Sequence, residues 1–321
     1  MAVNPAPAPV ALDSSQRSAF DRFGDRGFLY LTLAASLVAV GVLVAIAVKV
    51  FDLAAPAMGK FGAGFLVNQD WNAVTNKFGA LDFIYGTAIS SLVALLIAAP
   101  IAIAIALFLT ELAPKWLRTP IGALVEVLSG IPSVVIGLWG ILVMGPFVQD
   151  HFEPFLNSFL GWLPFFRGRY GLQGLLPAIM VLTIMIVPIV SSISRELFSR
   201  VPKEQVEGAL AVGATRWEMI RGVMLPYVGP GVVAALILGL GRAVGEALAV
   251  TQVIGGNAGI RWSLFEPADT LASRIASQYQ GAVSNLQVSS LAYLAAILLV
   301  LSLIFNLGAQ LIVRRVERSR R

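Results

Sequence analysis

Six long apolar stretches with few or no charged residues are the strongest constraint on this sequence. Residues 28–48 hold 21 consecutive uncharged positions, and residues 83–110 hold 28. A helix needs about 20 apolar residues to cross a bilayer core. Four more stretches of this kind, each interrupted by few or no charges, lie at about 120–148, 172–195, 226–254 and 286–313. The sequence therefore predicts an all-α polytopic membrane protein with six transmembrane helices.

The regions at the two ends of the chain differ from the apolar stretches. Residues 1–27 begin with a Pro/Ala run and end in a basic flank, which predicts a mobile tail, and residues 314–321 are strongly basic. The stretch 28–48 is longer than the apolar core of about 7–15 residues found in signal peptides, so we expect a retained first span. One transmembrane domain is predicted over residues 28–313.

Composition excludes several classes of function. The chain is 57% hydrophobic and 13% charged, whereas soluble domains are about 25% charged. It has no cysteine and one histidine, His151, so we expect no disulfide, no thiol chemistry, no metal site and no cofactor. Because the basic residues gather at loop ends, no nucleic acid partner is expected; the expected surroundings are membrane lipid.

No nucleotide-binding loop is visible in the sequence. Such a loop needs a glycine, four residues, then Gly-Lys and Ser or Thr. The one Gly-Lys pair, Gly59-Lys60, is followed by Phe61. We therefore predict that the chain is not an enzyme, and that any active transport draws on an ion gradient or on another chain.

The basic residues predict how the chain is oriented. If six spans alternate, 15 Lys and Arg residues fall on the side of the two termini and 7 on the other side. Cytoplasmic loops carry the excess of Lys and Arg. We therefore expect a plasma (inner) membrane location with both termini cytoplasmic.

A polar island of 20 residues, Glu207 to Pro226, separates two of the apolar stretches. Pro202 suits the first turn of a helix, and Gly213 suits the position after a helix, where φ is positive. Thr215 and Glu218 have the spacing of a capping box. The island is predicted to form two short helices with a sharp turn on the cytoplasmic side; a plain interfacial connector is the alternative interpretation.

Two charges in the fifth predicted span are candidates for a transport path. Arg242 and Glu246 are four residues apart, a spacing that lets side chains meet on one helix face. A charged side chain at the centre of the membrane costs roughly 2.5–3.5 kcal/mol. Such a side chain therefore needs an ion-pair partner or a water-filled path. Either the two form a structural ion pair, or Arg242 is a fixed cation for an oxyanion and Glu246 holds its guanidinium, which can donate paired hydrogen bonds.

Glu126 is a third candidate for the path. It precedes the segment LSGIPSVVIGLWG in the third predicted span, and it either lies near the cytoplasmic interface or faces the path. If Glu126 faces the path, its carboxylate would accept a hydrogen bond from the substrate. A protonated phosphate has an O–H group that can donate this bond, whereas a fully ionised sulfate has none.

Two loops on the other side of the membrane are candidates for contacts outside the chain. Residues 150–170 are rich in aromatic side chains and predict an interfacial or re-entrant segment, or a docking surface. Residues 256–285 are polar, which suits either contact with an external partner or an inert loop.

The island resembles the cytoplasmic signature of ABC importer permeases. The matching residues are Glu207, Ala209, Gly213, Ile220, Leu225 and Pro226, with Gly208 where the family usually has alanine. The segments 125–140 and 239–256 are similar to those of phosphate-specific transporter permeases, the PstC family, although Ala247 replaces a more usual threonine. The resemblance covers roughly residues 25–315 and implies a type I importer permease fold whose coupling helix, at about 202–225, contacts an ATPase subunit.

The resemblance also implies a function and a set of partners. The chain would be a permease subunit of an ATP-driven phosphate importer, working with a second permease (a paralogous chain), two ATPase subunits and an external phosphate-binding protein. Arg242 and Glu246 match the family's intramembrane arginine and glutamate. The alternatives are a permease for sulfate, molybdate or phosphonate, an ion-coupled secondary transporter, and a membrane scaffold or sensor in which Arg242 is structural.

Overall fold

The computed structural model describes the backbone of residues 19–318 and the side chains of residues 24–311. Residues 1–18 of the predicted tail and 319–321 of the basic C-terminus lie outside the described residues. Apart from one short hairpin, the described elements are helices. They are α1 (Ala19–Phe61), α2 (Gly64–Val67), β1 (Trp71–Asn72), β2 (Lys77–Phe78), α3 (Leu81–Leu107), α4 (Lys115–Gly130), α5 (Ser133–Trp139), α6 (Gly145–Phe147), α7 (Glu153–Leu160), α8 (Leu175–Ser199), α9 (Lys203–Ala211), α10 (Arg216–Met219), α11 (Leu225–Gly245), α12 (Leu248–Val253), α13 (Leu271–Gln278) and α14 (Asn285–Arg318).

Six helical segments among the described residues are long and apolar enough to cross a membrane, which confirms the predicted all-α fold class. They are Gly24–Phe61, Leu81–Leu112, Ser133–Leu160, Leu175–Ser199, Arg216–Gly245 and Asn285–Leu311. Helix α1 begins inside the predicted tail. The described residues divide into two separate compact units, one before and one after the boundary between residues 49 and 50. In the first of them most apolar side chains of 28–48 are exposed.

The third span begins later than predicted. The sequence predicts one span over about 120–148, but α4 ends at Gly130 and a new helical segment runs from Ser133 to Leu160. Pro132 is the physical reason, because a proline forces the preceding residue into extended backbone; Ile131 has a ψ of 129°. Residues 153–160 of the predicted interfacial segment therefore continue the third span as α7.

Helix α8 forms the centre of the second unit. It is the most buried of the six spans and packs against α3, α4 and α11. Small side chains of α3 make the close contact possible: Ala94, Ala98 and Ala102 are fully buried against the core. The functional candidates lie on helices that pack around this core.

Four π turns shape the spans that the structure describes, and each one ends two residues before a proline. They are Phe108–Leu112, Gly140–Met144, Val148–Phe152 and Ile220–Met224, followed by Pro114, Pro146, Pro154 and Pro226. Proline cannot donate the usual helical hydrogen bond, and its ring clashes with the preceding turn. A π turn widens the helix locally, so the helical path continues through three of these prolines without ending.

A long loop between α12 and α14 is tied to the start of α3. The backbone N–H of Leu271 donates to Thr87 Oγ1 at 2.9 Å. Gly86 lies so close to the loop that a Cβ there would be 1.9 Å from the carbonyl oxygen of Asp269. The predicted polar loop is thus an ordered layer that contains α13.

A buried ion pair holds this layer. Arg274 Nε lies 2.7 Å from Asp269 Oδ2, with side chains 8% and 0% exposed. The guanidinium also lies 4.7 Å from the ring centroid of Phe83 and near the buried Asp82. Burial raises the pKa of Asp269, although the charge of Arg274 opposes that shift.

We predict that Arg274→Met destabilises the protein by about 3–5 kcal/mol, because it leaves a buried carboxylate without its cation. Without Arg274 the pKa of Asp269 rises further, so the folded state binds more protons than the unfolded state. Stability then falls as pH rises above the unfolded pKa of about 3.9. The thermal unfolding midpoint in detergent at pH 5 and at pH 8 measures this.

The control is the double variant Arg274→Met with Asp269→Asn. The introduced amide oxygen would still accept the hydrogen bond that Asp269 Oδ1 takes from the N–H of Thr270 at 2.8 Å. The double variant should recover stability and lose the added pH dependence. Equal losses in the single and double variants would contradict the role given to the pair.

Candidate functional site: a broken fifth span and its groove

The fifth span is broken beside Arg242. Helix α11 ends at Gly245, and α12 begins at Leu248. Glu246 lies in the break with a ψ of 117°, which is extended backbone. The sequence predicts that Arg242 and Glu246 meet on one face of a helix, but the helix ends between them, at Gly245. The Glu246 carboxylate caps the helix that follows the break, since its Oε1 accepts a hydrogen bond from the N–H of Ala249 at 3.2 Å.

Arg242 and Glu246 nevertheless face each other. Arg242 Nη2 lies 3.8 Å from Glu246 Oε2, which is the outer limit of an ion pair. The Arg242 side chain is 44% exposed and that of Glu246 is 7% exposed. The carboxylate is therefore fixed inside the protein, while the guanidinium keeps free donor groups for something outside the chain.

Arg242 opens into a groove between α11 and α14. The groove has a volume of about 630 Å³, and its wall is mostly apolar. Asn306 and Gln310 of α14 supply polar groups beside Arg242. Neither amide is among the site residues predicted from the sequence. Their four-residue spacing within an otherwise apolar span was the available signal.

The half-helix α12 is held in place by α5. A Cβ on Gly137 would lie 2.7 Å from the Cα of Ala249, and one on Gly140 would lie 2.9 Å from a methyl group of Val253. These contacts leave no space between α12 and the segment that contains α5. Gln252 joins them further, since its Nε2 donates to the carbonyl of Val134 at 3.2 Å.

Glu126 lies apart from this groove. It belongs to α4 and not to the third span, its side chain is 59% exposed, and it pairs with Arg195 Nη2 at 2.6 Å. Gly122 makes room for that pair, because a Cβ there would lie 2.2 Å from Arg195 Nη1. The two residues line a different groove, of about 480 Å³. The structure brings together Arg242 and Glu246 and leaves Glu126 elsewhere.

The turn of the polar island forms as predicted. Gly213 has a φ of +91°, and the capping box is present: Glu218 N–H donates to Thr215 Oγ1 at 3.3 Å, and Thr215 N–H donates to Glu218 Oε2 at 2.8 Å. Pro202 immediately precedes α9 instead of lying in its first turn. The backbone geometry confirms the sharp turn.

The second helix of the island is not short. Residues Arg216 to Gly245 form one uninterrupted helical segment through the π turn at Ile220–Met224. Ile220 is buried, and Leu225 packs against the same apolar cluster of Phe198, Met219 and Met224. The turn at Gly213 and the site at Arg242 are thus joined by a single rod.

The first helix of the island, α9, lies at the surface of the chain. None of its residues is buried. Glu207 is exposed, and Ala209 is partly covered by the cluster beneath it. Three large apolar side chains remain uncovered around the turn: Leu210 is 42% exposed, Val212 86% and Trp217 64%.

Comparisons with known proteins place this arrangement in a class. The family model described as "binding-protein-dependent transport system inner membrane component" matches residues 98–318. A chain of a bacterial alginate ABC transporter, crystallised in complex with an alginate-bound periplasmic protein, has the same fold. The TM-score is 0.61 over 94% of this chain and 98% of that chain, at 18% identity. The chain is an integral membrane component of the ABC importer type.

Relatives with higher sequence identity indicate which family of importer components the chain belongs to. A phosphate transport system permease protein PstC of Mesorhizobium japonicum is 42% identical over 314 residues, which is 96% of each chain. One of Xylella fastidiosa is 41% identical over 295 residues, covering 91% of this chain and 90% of that protein. The chain belongs to the PstC family of permeases.

We predict that Glu246→Ala lowers stability by about 1 kcal/mol more than Glu246→Gln does. Glutamine can still accept the hydrogen bond from Ala249, whereas alanine leaves the first turn of α12 without its cap. Thermal unfolding of the purified variants in detergent measures the difference. Equal midpoints for the two variants would show that the carboxylate does not cap α12.

Proposed function

We propose that this chain is one permease subunit of an ATP-driven phosphate importer and that phosphate passes beside Arg242. The half-exposed guanidinium next to a fixed, buried carboxylate is the observation that carries the proposal. A guanidinium fork suits phosphate because it donates paired hydrogen bonds. Since Glu246 is held 3.8 Å away, it orients Arg242 without occupying all of its donors. Family membership supports phosphate over other oxyanions.

A second permease would cover the face that carries Arg242. Ala234, Leu238, Arg242, Gly245 and Leu248 are all exposed and follow one side of the broken span. An arginine facing lipid at mid-membrane would cost roughly 2.5–3.5 kcal/mol or more. A path shared with a paralogous permease would remove that cost, because the charge would then face water and substrate.

The ATPase subunits would bind at the polar island. The exposed ring of Leu210, Val212 and Trp217 around the Gly213 turn gives an apolar contact surface, and Glu207, Thr215 and Glu218 surround it with polar groups. The excess of Lys and Arg on this side supports a cytoplasmic position for this surface and for both termini. Motion there would reach Arg242 through the helical rod from Arg216 to Gly245, by way of Ile220, Leu225 and Pro226. ATP hydrolysis belongs to the partner subunits.

An external phosphate-binding protein would deliver the substrate at the opposite end of the bundle. The ordered layer held by Asp269 and Arg274 supplies a firm surface for it. Glu126, paired with Arg195 in its own groove, remains a prediction as an acceptor for the phosphate proton. If Glu126→Gln transports sulfate no better than the parent, that role is removed.

Transport by the reconstituted complex tests the proposal. Vesicles containing both permeases, the ATPase subunits and the binding protein should accumulate phosphate only with ATP. Arg242→Gln should reduce the rate at least about 100-fold, since losing hydrogen bonds to a charged group costs about 1.5–3 kcal/mol each and the fork makes two. Leu238→Met, on the same face, is the matched control. Uptake driven by a proton or sodium gradient without ATP would contradict the proposal.

A second prediction concerns the coupling of ATP hydrolysis to transport. Gly213→Ala should reduce binding-protein-stimulated ATP hydrolysis roughly 5-fold, because alanine at a positive φ costs about 1 kcal/mol and shifts the turn. Gly208→Ala is the matched control: a Cβ there meets nothing within 4 Å, in a helical backbone. Equal activity in both variants would contradict the role of the turn.

A further inference from the structure

Two side-chain amides share the groove with Arg242. Asn306 and Gln310 lie four residues apart on α14, so they are on the same helix face, and both line the groove. Gly241, beside Arg242, lies next to the first of them, since a Cβ there would be in van der Waals contact with Asn306 Oδ1 at 3.9 Å. Gln310 lies one helical turn, about 5.4 Å, further towards the C-terminus.

These amides differ from the hydrogen-bonded polar side chains at the start of α14. Near its start, Gln287 accepts a hydrogen bond from the N–H of Val283 at 3.1 Å, and Ser289 Oγ accepts one from the N–H of Ala57 at 2.8 Å. Within residues 24–311, Asn306 and Gln310 have no such partner and make no ion pair. An amide without a partner in an apolar medium costs several kcal/mol. Their position in the sixth span therefore calls for a ligand or a partner helix.

The chemistry of the groove matches a partly protonated oxyanion. Arg242 donates hydrogen bonds and carries charge. Each amide adds two N–H donors for phosphate oxygens and one carbonyl acceptor for a P–OH group. Sulfate has no proton to give to that acceptor at neutral pH. Because amides add no charge, they hold the anion weakly, which a transport path requires for release.

We propose that Asn306 and Gln310 are substrate-contacting residues that receive phosphate from Arg242 and carry it one turn further along α14. The inference rests on the proposed function. The last span alternates in direction with the fifth, so Gln310 lies nearer than Asn306 to the end of the bundle that bears α9. The three side chains form a short series of polar contacts along an otherwise apolar groove.

The alternative role for these amides is contact with a neighbouring helix. Side-chain amides also join helices to one another within membranes, and the second permease could supply such a helix. That role predicts a loss of assembly when the amides are removed, whereas a role in the path predicts a loss of transport in an intact complex. The two roles therefore differ in a measurable way.

The test uses the whole reconstituted complex with its binding protein and ATP. Asn306→Leu and Gln310→Met remove the amides and nearly keep their size, and Leu303→Met on the exposed side of α14 is the control. Each amide variant should lower the maximal phosphate uptake rate about 2- to 10-fold, the value of one hydrogen bond. The number of phosphates moved per ATP should fall, while subunit stoichiometry by mass stays that of the parent. Asn306→Gln, which keeps the amide, should restore part of the rate.

The outcomes separate this inference from the proposed function. If the parent takes up no phosphate with ATP, the proposed function fails. If the parent transports and the double variant Asn306→Leu with Gln310→Met equals it in rate and in phosphate per ATP, the amides are not in the path. If the double variant does not assemble, the amides are packing groups and the inference is overturned.

Discussion

The close contact of α5 with α12 is the constraint on which the candidate site depends. Gly137 touches the backbone of Ala249, with no room for a side chain between them. In a bilayer, a helix break is tolerated only where other groups satisfy the freed backbone. Here Glu246 caps the first turn of α12, Gln252 donates to Val134, and Gln173 Nε2 donates to the carbonyl of Gln252 at 2.9 Å. The break beside Arg242 can persist because α12 is fastened at both ends.

That constraint explains the unequal surroundings of the two charges. Glu246 is buried because its carboxylate accepts a hydrogen bond from the first turn of α12, and this bond fixes its position. Arg242 belongs to the last turn of α11 and is free to face outwards. A pair formed on one intact helix would have no such asymmetry, and both groups would satisfy each other. Because the span is broken, Arg242 is not fully occupied by Glu246, and its guanidinium keeps N–H donors that can bind an anion.

The sequence predicts the parts of this structure that depend on local pattern. Six apolar stretches, the positive φ at Gly213 and the Thr215–Glu218 capping box follow from length, glycine and side-chain spacing. The break at Glu246 could not be predicted in this way, because Gly-Glu-Ala continues a helix as readily as it ends one, and the deciding contact comes from Gly137, over 100 residues earlier. Pro132 did signal the late start of the third span. Asn306 and Gln310 acquire meaning only when α14 packs beside α11.

In the proposed function, the position of the break also determines what motion at the polar island can change. The rod from Arg216 to Gly245 carries Arg242 at its far end, while Glu246 and α12 are held by α5. A small rotation or shift of the rod would therefore move the guanidinium relative to a stationary carboxylate. At 3.8 Å the two lie at the limit of an ion pair, where a displacement of about 1 Å changes the attraction appreciably in a medium of low dielectric constant. Closing the gap would occupy Arg242 with Glu246 and release the anion, and widening it would present the whole fork to the groove.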